Sequence, residues 1–165
     1  METPVFTIAG IRQLHRWTHS SLGLVLDHLA SLPAGDYTRE VAGFGFPTLR
    51  AQVVHILNCE GFWVHTLQQS PFTDEDQAKR PAVSDARELE SKVCANTLAY
   101  LSGLTDEQLN TETELHFPDG DITTRTPALI LHHMLTHAFH HKGQIVAMCR
   151  ILGHPAPDTD LNRFH

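Results

Sequence analysis

The chain has 165 residues, 41% of them hydrophobic and 19% charged, which is typical of one globular domain with its own core. Twelve Lys and Arg against nineteen Asp and Glu give a formal net charge of −7, and this argues against binding of nucleic acid through its phosphate backbone. No apolar run approaches the roughly 20 residues that a membrane span needs, and the start does not resemble a secretion signal. We therefore expect a single cytoplasmic domain over residues 1–165.

Two long helices are predicted in the first half of the chain. Apolar residues recur at helical spacing from about Ile11 to Leu32, and Pro33 and Gly35 end that segment. A loop without a clear period follows, over residues 33–47. The second helix begins near Thr48 and runs to about Leu67.

The second half predicts two more helices with a small excursion between them. The third helix runs from Ser84 to a stop at Gly103, and the fourth runs from Pro127 to about Leu152. Between them, residues 111–126 alternate apolar and polar side chains around a Pro-Asp-Gly turn, which is typical of a short β-hairpin or extended loop. The fold class is therefore all-α, a four-helix bundle with this excursion before its last helix.

Histidine is unusually frequent, with thirteen residues, and five of them lie between Leu131 and Lys142. Because residues four apart lie about 40° apart on a helix surface, His133, His137 and His141 form one stripe on the last helix. Such i,i+4 pairs bring two imidazoles within reach of one metal ion. The same spacing is also found in paired surface histidines and in hydrogen-bonded core histidines, so the pattern leaves both interpretations open.

A third ligand has to come from another helix, and His55 is the best candidate because it lies in the apolar zone of the second helix. The alternative is a core histidine with its own hydrogen bonds. Cys59 lies one turn further and is a weaker candidate for ligation or redox chemistry. A second i,i+4 pair, His15 and His19, flanks the apolar stripe of the first helix, and we expect it to have a lining or surface role.

The three cysteines are widely spaced, without a Cys-x-x-Cys motif, which predicts reduced thiols rather than disulfides. We expect Cys94 and Cys149 to lie in the core, and Trp63 to lie in the core or in a pocket wall. The Glu-x-x-His pairs of di-iron bundles, the His-Glu-x-x-His motif of zinc proteases and the common nucleotide-binding loops are all absent from the sequence.

Three segments together resemble the DinB-like family, whose superfamily includes YfiT-type proteins and thiol-dependent S-transferases. They are AQVVHILNCEGFW (residues 51–63), the polar hairpin, and LTHAFHHKGQIVAM (residues 135–148). The resemblance implies an up-down-down-up four-helix bundle, usually a homodimer, with one divalent metal ion held by three histidines. Carried over residue by residue, the ligands are His55, His137 and His141.

Two positions near these ligands are informative. Lys142 stands where the family commonly has Arg, and Lys lacks the two-pronged donor of Arg, so an anion contact at this position is in doubt. Gly143 lies inside the predicted helix and suggests the close approach of another backbone, for example at a dimer interface.

Three neutral imidazoles would leave a divalent ion with its full charge and an open position, which is the pattern of a catalytic site. By resemblance, we expect zinc, nickel or iron and a metal-dependent S-transferase. It would join a small-molecule electrophile to a low-molecular-weight thiol such as bacillithiol, mycothiol or glutathione. The alternatives are a non-catalytic metal-binding stress-response protein and a metal-dependent hydrolase, for which Glu60 is the nearest acid on the second helix.

Overall fold

The structure is a computed structural model that describes residues 5–164. Within that range it has five α-helices and one two-stranded antiparallel sheet. In chain order they are α1 (Ile8–Ala30), α2 (Leu49–Leu67), α3 (Val83–Ser102), α4 (Asp106–Asn110), β1 (Thr113–His116), β2 (Ile122–Arg125) and α5 (Pro127–Ile151). Single turns of 3₁₀-helix occur at Gln77–Lys79 and Leu161–Arg163.

The helix ends follow from local chemistry. Thr7, Thr48 and Thr126 precede α1, α2 and α5, and each hydroxyl accepts a hydrogen bond from a backbone N–H of the first turn. Gly153, with φ +86°, follows the end of α5 in the left-handed conformation that glycine adopts without strain. These signals explain why the predicted ends of the four long helices lie within three residues of the observed ones.

The long helices form the predicted bundle. Both α1 and α2 pack against α3 and against α5, so the four helices enclose a common interior. The predicted hairpin is also confirmed, with Thr113 paired to Arg125 and His116 paired to Ile122. The sequence interpretation missed α4, because five residues are too few to show a helical period.

The interior contains two apolar clusters with polar residues between them. One cluster includes Leu26, Leu57 and Met148, and the other includes Ile11, Val64, Leu131 and Leu135. A side chain of this kind contributes about 1.5–3 kcal/mol when it is fully buried. Along α1 and α5, the histidines of interest lie between residues of the two clusters, so the bundle has a polar layer near its middle.

Within the described chain, a Cβ placed at Gly143 would meet nothing within 4 Å, so the close backbone approach does not come from this chain. An approach by a second copy, as at a dimer interface, stays a prediction. The core position expected for Cys94 is wrong, because Cys94 is only partly buried and lines a surface groove, while Cys149 is in the core as predicted. Trp63 packs against the second apolar cluster.

Over residues 5–164, no helix has both the length and the apolar character that crossing a membrane requires.

Candidate metal centre

Three histidines from two packed helices converge in the middle of the bundle. His55 on α2 and His137 and His141 on α5 each place a ring nitrogen within 4.8 Å of the other two. Nε2 of His55 lies 3.2 Å from Nε2 of His137. The ring of His141 lies 4.5 Å from that of His55 and 4.4 Å from that of His137, measured between centroids.

His133, the fourth histidine of the predicted cluster, lies outside this group. It is exposed, its ring is 5.9 Å from that of His137, and it packs edge-on against Trp63. His137 and His141 are therefore the i,i+4 pair that faces His55.

Hydrogen bonds fix the tautomer of His141. The side-chain amide of Gln52 donates to the carbonyl oxygen of Phe46 at 2.9 Å, so its own oxygen must point the other way. That oxygen lies 2.7 Å from Nδ1 of His141 and accepts the Nδ1 proton. Nε2 of His141 therefore carries a free lone pair, which is the state that a metal ligand needs.

The amide chain continues beyond Gln52. Gln52 also donates to Gln144 at 2.8 Å, and Gln144 donates to Nε2 of His140 at 2.8 Å. Since Gln52 is fully buried, this arrangement satisfies both of its N–H groups and its oxygen. The orientation of His141 is thus held by a chain of amides that reaches the exposed His140.

His55 and His137 are held differently. The ring of Phe46 stacks on His55, with 3.9 Å between centroids and 22° between planes. Nδ1 of His137 is buried, and it has no hydrogen-bond partner among the described residues. Phe46 therefore supports two of the three histidines, His55 through its ring and His141 through its carbonyl group, which positions Gln52.

The three histidines are neutral near pH 7. Burial lowers the pKa of His137 and His141 to about 4, and the neighbouring histidines add to the effect. Burial also lowers the pKa of His55, against the charge of Asp74. Neutral imidazole is the form that coordinates metal ions.

The arrangement fits a divalent metal ion. Two nitrogens bound to one tetrahedral ion at about 2.0–2.1 Å lie roughly 3.3 Å apart, close to the 3.2 Å between the facing Nε2 atoms of His55 and His137. All three donors are uncharged nitrogens, so the three histidines themselves bring no negative charge to the ion.

A groove of about 420 Å³ adjoins His55, and its wall includes Phe46, Cys59, Phe62 and Asp74. Cys59 thus lines the same groove as His55, as the sequence indicated. Burial, helped by the charge of Glu60, raises the pKa of the Cys59 thiol to about 11, so the thiol is protonated near pH 7. A second groove, of about 640 Å³, shares Phe62 and Asp74 with the first and extends to Phe117 in the hairpin turn.

The surface role considered for His15 and His19 is wrong, although both line a groove. Both are buried, with 1% and 9% of their surface exposed, and their Nε2 atoms donate to Glu60 at 2.8 and 3.0 Å. Nδ1 of His19 also donates to Glu90. A histidine that donates from both nitrogens is the imidazolium ion.

Glu60 itself is buried in this second group, and Thr97 donates to the same oxygen as His15, at 2.6 Å. Burial alone would raise the pKa of Glu60, but His19 and His15 hold it well below its usual range. For His19, burial lowers the pKa, but the charge of Glu60 and the hydrogen bonds with Cys94, Glu60 and Glu90 together outweigh burial and raise the pKa to about 12. Glu60 is therefore committed to α1 and α3 and is not the base of the three-histidine centre.

Lys142 does not project toward an anion site. It is buried, and its ammonium group donates to the Ser21 hydroxyl at 3.0 Å and to the Thr159 carbonyl at 2.8 Å. The ammonium also lies over the ring of Phe139. Lys142 thus fastens the segment after α5 to α1, and burial lowers its pKa.

Sequence reasoning missed Phe46, Gln52 and Gln144 as parts of the centre. Gln52 precedes His55 by three positions and Gln144 follows His141 by three, so each shares a helix face with a ligand. A buried amide at that spacing inside an apolar segment was a usable signal. Phe46 lies in a loop without periodicity, and nothing in the sequence indicated its place.

Comparisons with known proteins agree with this fold. The family model described as "DinB family" matches residues 1–165. Protein DinB of Bacillus subtilis (strain 168) is 22% identical over 148 residues, which cover 85% of this chain and 84% of that protein. Among solved structures, a DinB-like protein from Bacillus cereus ATCC 10987 has a TM-score of 0.73 and 21% identity, over 92% of this chain and 97% of that one.

A DinB-like protein from Bacillus subtilis has a TM-score of 0.63 and 22% identity, over 90% of this chain and 98% of that one. At these identities the structural likeness establishes the shared helical fold and nothing finer. The family match, however, extends over the whole chain, and on that ground the protein belongs to the DinB family.

Proposed function

We propose that this protein binds one divalent metal ion through His55, His137 and His141 and uses it in a thiol-dependent S-transferase reaction. The observation that carries the proposal is the convergence of three neutral ring nitrogens within 4.8 Å of one another. When bound, such an ion keeps its charge and an open position, where it lowers the pKa of a water or thiol.

The protein residues prepare the centre in two ways. The Gln52 amide keeps the proton of His141 on Nδ1, and the Phe46 ring restrains His55. Since neither ligand has to reorganise, the free-energy cost of binding is small. Zinc, nickel and iron all accept imidazole ligands, and the donor set is compatible with each of them.

The groove beside His55 favours catalysis over metal binding without turnover. Its volume of about 420 Å³ lies in the range of small-molecule sites, and the rings of Phe46 and Phe62 suit an electrophile with an apolar body. Because Cys59 is protonated near pH 7, the proposed nucleophile is the sulfur of a separate small thiol. Bacillithiol, mycothiol and glutathione are the thiols to test.

A metal-dependent hydrolase is the second candidate, and one observation favours it. Asp74 and Glu75 both line the groove beside His55. Glu75 is paired with Arg80 at 2.8 Å and Glu60 with His15 and His19, which leaves Asp74 as the acid to act as a base for bound water. Asp74→Asn separates the two candidates, because it removes that base and leaves the thiol route intact. The homodimer implied by the family resemblance stays a prediction, to be checked by light scattering at micromolar concentration.

The proposed function is tested by metal analysis of the untagged protein and its His141→Ala variant. We expect the variant to hold one equivalent of metal less than the wild type while its far-ultraviolet circular dichroism stays native, because the apolar clusters hold the bundle. His133→Ala is the matched control. Because His133 is an exposed residue of the same helix, this variant should retain both metal and activity.

Conjugation of each thiol to a chlorinated nitrobenzene then tests the reaction. We expect turnover with at least one thiol, dependent on the metal and lost in His141→Ala. If wild-type protein prepared under metal-replete conditions contains no metal, the metal centre is refuted. Bound metal without turnover by any thiol would refute the transferase.

A further inference from the structure

We propose that His15, His19 and Cys94 form a second metal site, for a thiophilic divalent cation such as Zn²⁺, balanced by Glu60 and Glu90. This group lies between α1, α2 and α3 and shares no residue with the three-histidine centre. Ligand atoms of His15, His19 and Cys94 lie within 4.8 Å of one another.

The spacing of the residues supports a common ion. His15 and His19 are four apart on α1, so they share the helix face that meets Cys94 on α3. Glu60 contributes a carboxylate from α2. Sites of this kind in helical bundles are built from inward-facing side chains of several helices.

The chemistry of the donors selects the cation. Two imidazoles and one thiolate form a soft donor set that favours zinc over magnesium or calcium, which prefer oxygen ligands. Glu90 accepts a hydrogen bond from Nδ1 of His19. A carboxylate paired with a ligand histidine is a common outer partner in zinc sites, because it orients the ring.

The charge balance of the group also permits Zn²⁺ to replace protons. In the absence of metal, the positive charge beside Glu60 is the imidazolium of His19. Binding of one Zn²⁺ would release two protons to solvent, one from His19 and one from the Cys94 thiol, so the net charge of the group would not change. The exchange therefore avoids adding an uncompensated charge to the interior.

The group is accessible from outside. A groove of about 480 Å³ is lined by His15, His19 and Cys94, with Arg12 and Arg16 beside them. These two arginines are engaged elsewhere, Arg12 with Ser102 and Arg16 with Gln13. A cation therefore has an entry path to the half-buried thiol.

Cobalt(II) titration of the full-length His137→Ala/His141→Ala double variant tests the proposal, because this variant lacks the three-histidine centre. We expect one equivalent to bind, with a sulfur-to-cobalt charge-transfer band in the near ultraviolet. Adding Cys94→Ser should remove the band and weaken binding by more than the roughly 10- to 100-fold that loss of an outer partner causes. Adding Cys59→Ser, the matched control, should leave both unchanged.

Should the double variant fail to fold, zinc stoichiometry in the wild type and in Cys94→Ser provides the same test. We expect about two equivalents in the wild type and one fewer in Cys94→Ser. An unchanged stoichiometry in Cys94→Ser would overturn the second site, as would a charge-transfer band that persists after Cys94→Ser. Either result would leave the three-histidine centre untouched, since His141→Ala tests that centre separately.

Discussion

Two histidine pairs with the same i,i+4 spacing lie in environments of opposite electrostatic character. His15 and His19 on α1 meet the buried carboxylate of Glu60, and the pKa of His19 is raised to about 12. His137 and His141 on α5 meet another histidine and an amide, and their pKa values are lowered to about 4. Spacing indicates that two imidazoles share a helix face, but the residues on the opposite helix determine whether the imidazoles carry charge.

This difference separates two kinds of role. A charged histidine beside a carboxylate forms an ion pair that ties helices together, and it can accept a metal ion only by giving up its proton. A neutral histidine among neutral partners has a lone pair ready for a metal ion. The α5 pair is therefore prepared for metal by the chain itself, whereas His19 of the α1 pair must first give up a proton.

Glu60→Gln gives the largest expected effect. In metal-free protein near pH 7 it leaves the imidazolium of His19 buried without its main counter-ion, and loss of one partner of a buried pair costs about 3–5 kcal/mol. We expect a decrease of that size in the free energy of unfolding, measured by urea denaturation. Asp27→Asn is the control, because the Asp27–Arg87 pair is exposed and should contribute no more than about 1 kcal/mol. Equal effects of the two variants would contradict the central role of Glu60.

Gln52→Leu should come next. It keeps the side-chain volume but removes the acceptor for Nδ1 of His141, and loss of an outer hydrogen-bond partner weakens metal binding by roughly 10- to 100-fold. Competition with a chromogenic chelator measures the change in affinity.

Gln144→Leu is the graded control for Gln52→Leu, since Gln144 contacts Gln52 but no ligand of the centre. Its effect on metal affinity should be smaller. If Gln144→Leu weakens binding as much as Gln52→Leu does, the proposed amide chain does not act through Gln52.

Much of this arrangement could be predicted from sequence, and the limits have physical causes. The long helices are predictable because apolar period, threonine caps and Gly153 all agree. The grouping of His55 with the α5 pair followed from its place in the apolar zone of the second helix, and the family resemblance implied the same three residues. The burial of His15 and His19 was missed because it depends on their contact with Glu60. No local sequence pattern indicates which neighbouring helix the Glu60 carboxylate on α2 contacts.

The opposite pKa shifts predict opposite pH dependences of stability. His137 and His141 have folded-state pKa values near 4, below the unfolded value of about 6.5, so the unfolded chain takes up protons first on acidification. Their contribution to stability is present above about pH 6.5 and is lost as the pH falls toward 4. The raised pKa of His19 acts the other way, with its contribution complete below about pH 6.5 and lost as the pH rises toward 12.

Urea denaturation of metal-free protein between pH 5 and 8 tests these slopes. Relative to the His137→Ala/His141→Ala double variant, the free energy of unfolding of the wild type should fall by on the order of 1 kcal/mol on acidification below pH 6.5. Solvent screening reduces the value to this size. Relative to His19→Gln, the wild type should lose stability as the pH rises above 6.5. Parallel pH profiles in all three proteins would show that the two pairs do not differ in charge.

The smallest expected effect is that of Cys59→Ser on the proposed transferase reaction. Cys59 lines the groove beside His55, so its position alone would allow it to act as a nucleophile. Its thiol is protonated near pH 7, because burial and the charge of Glu60 raise its pKa to about 11, and thiolate is the reactive form. The rate with an added small thiol should therefore survive the substitution, measured with the metal content checked in the same samples. Loss of activity with metal retained would assign the nucleophile to Cys59, and the groove would then hold the electrophile alone.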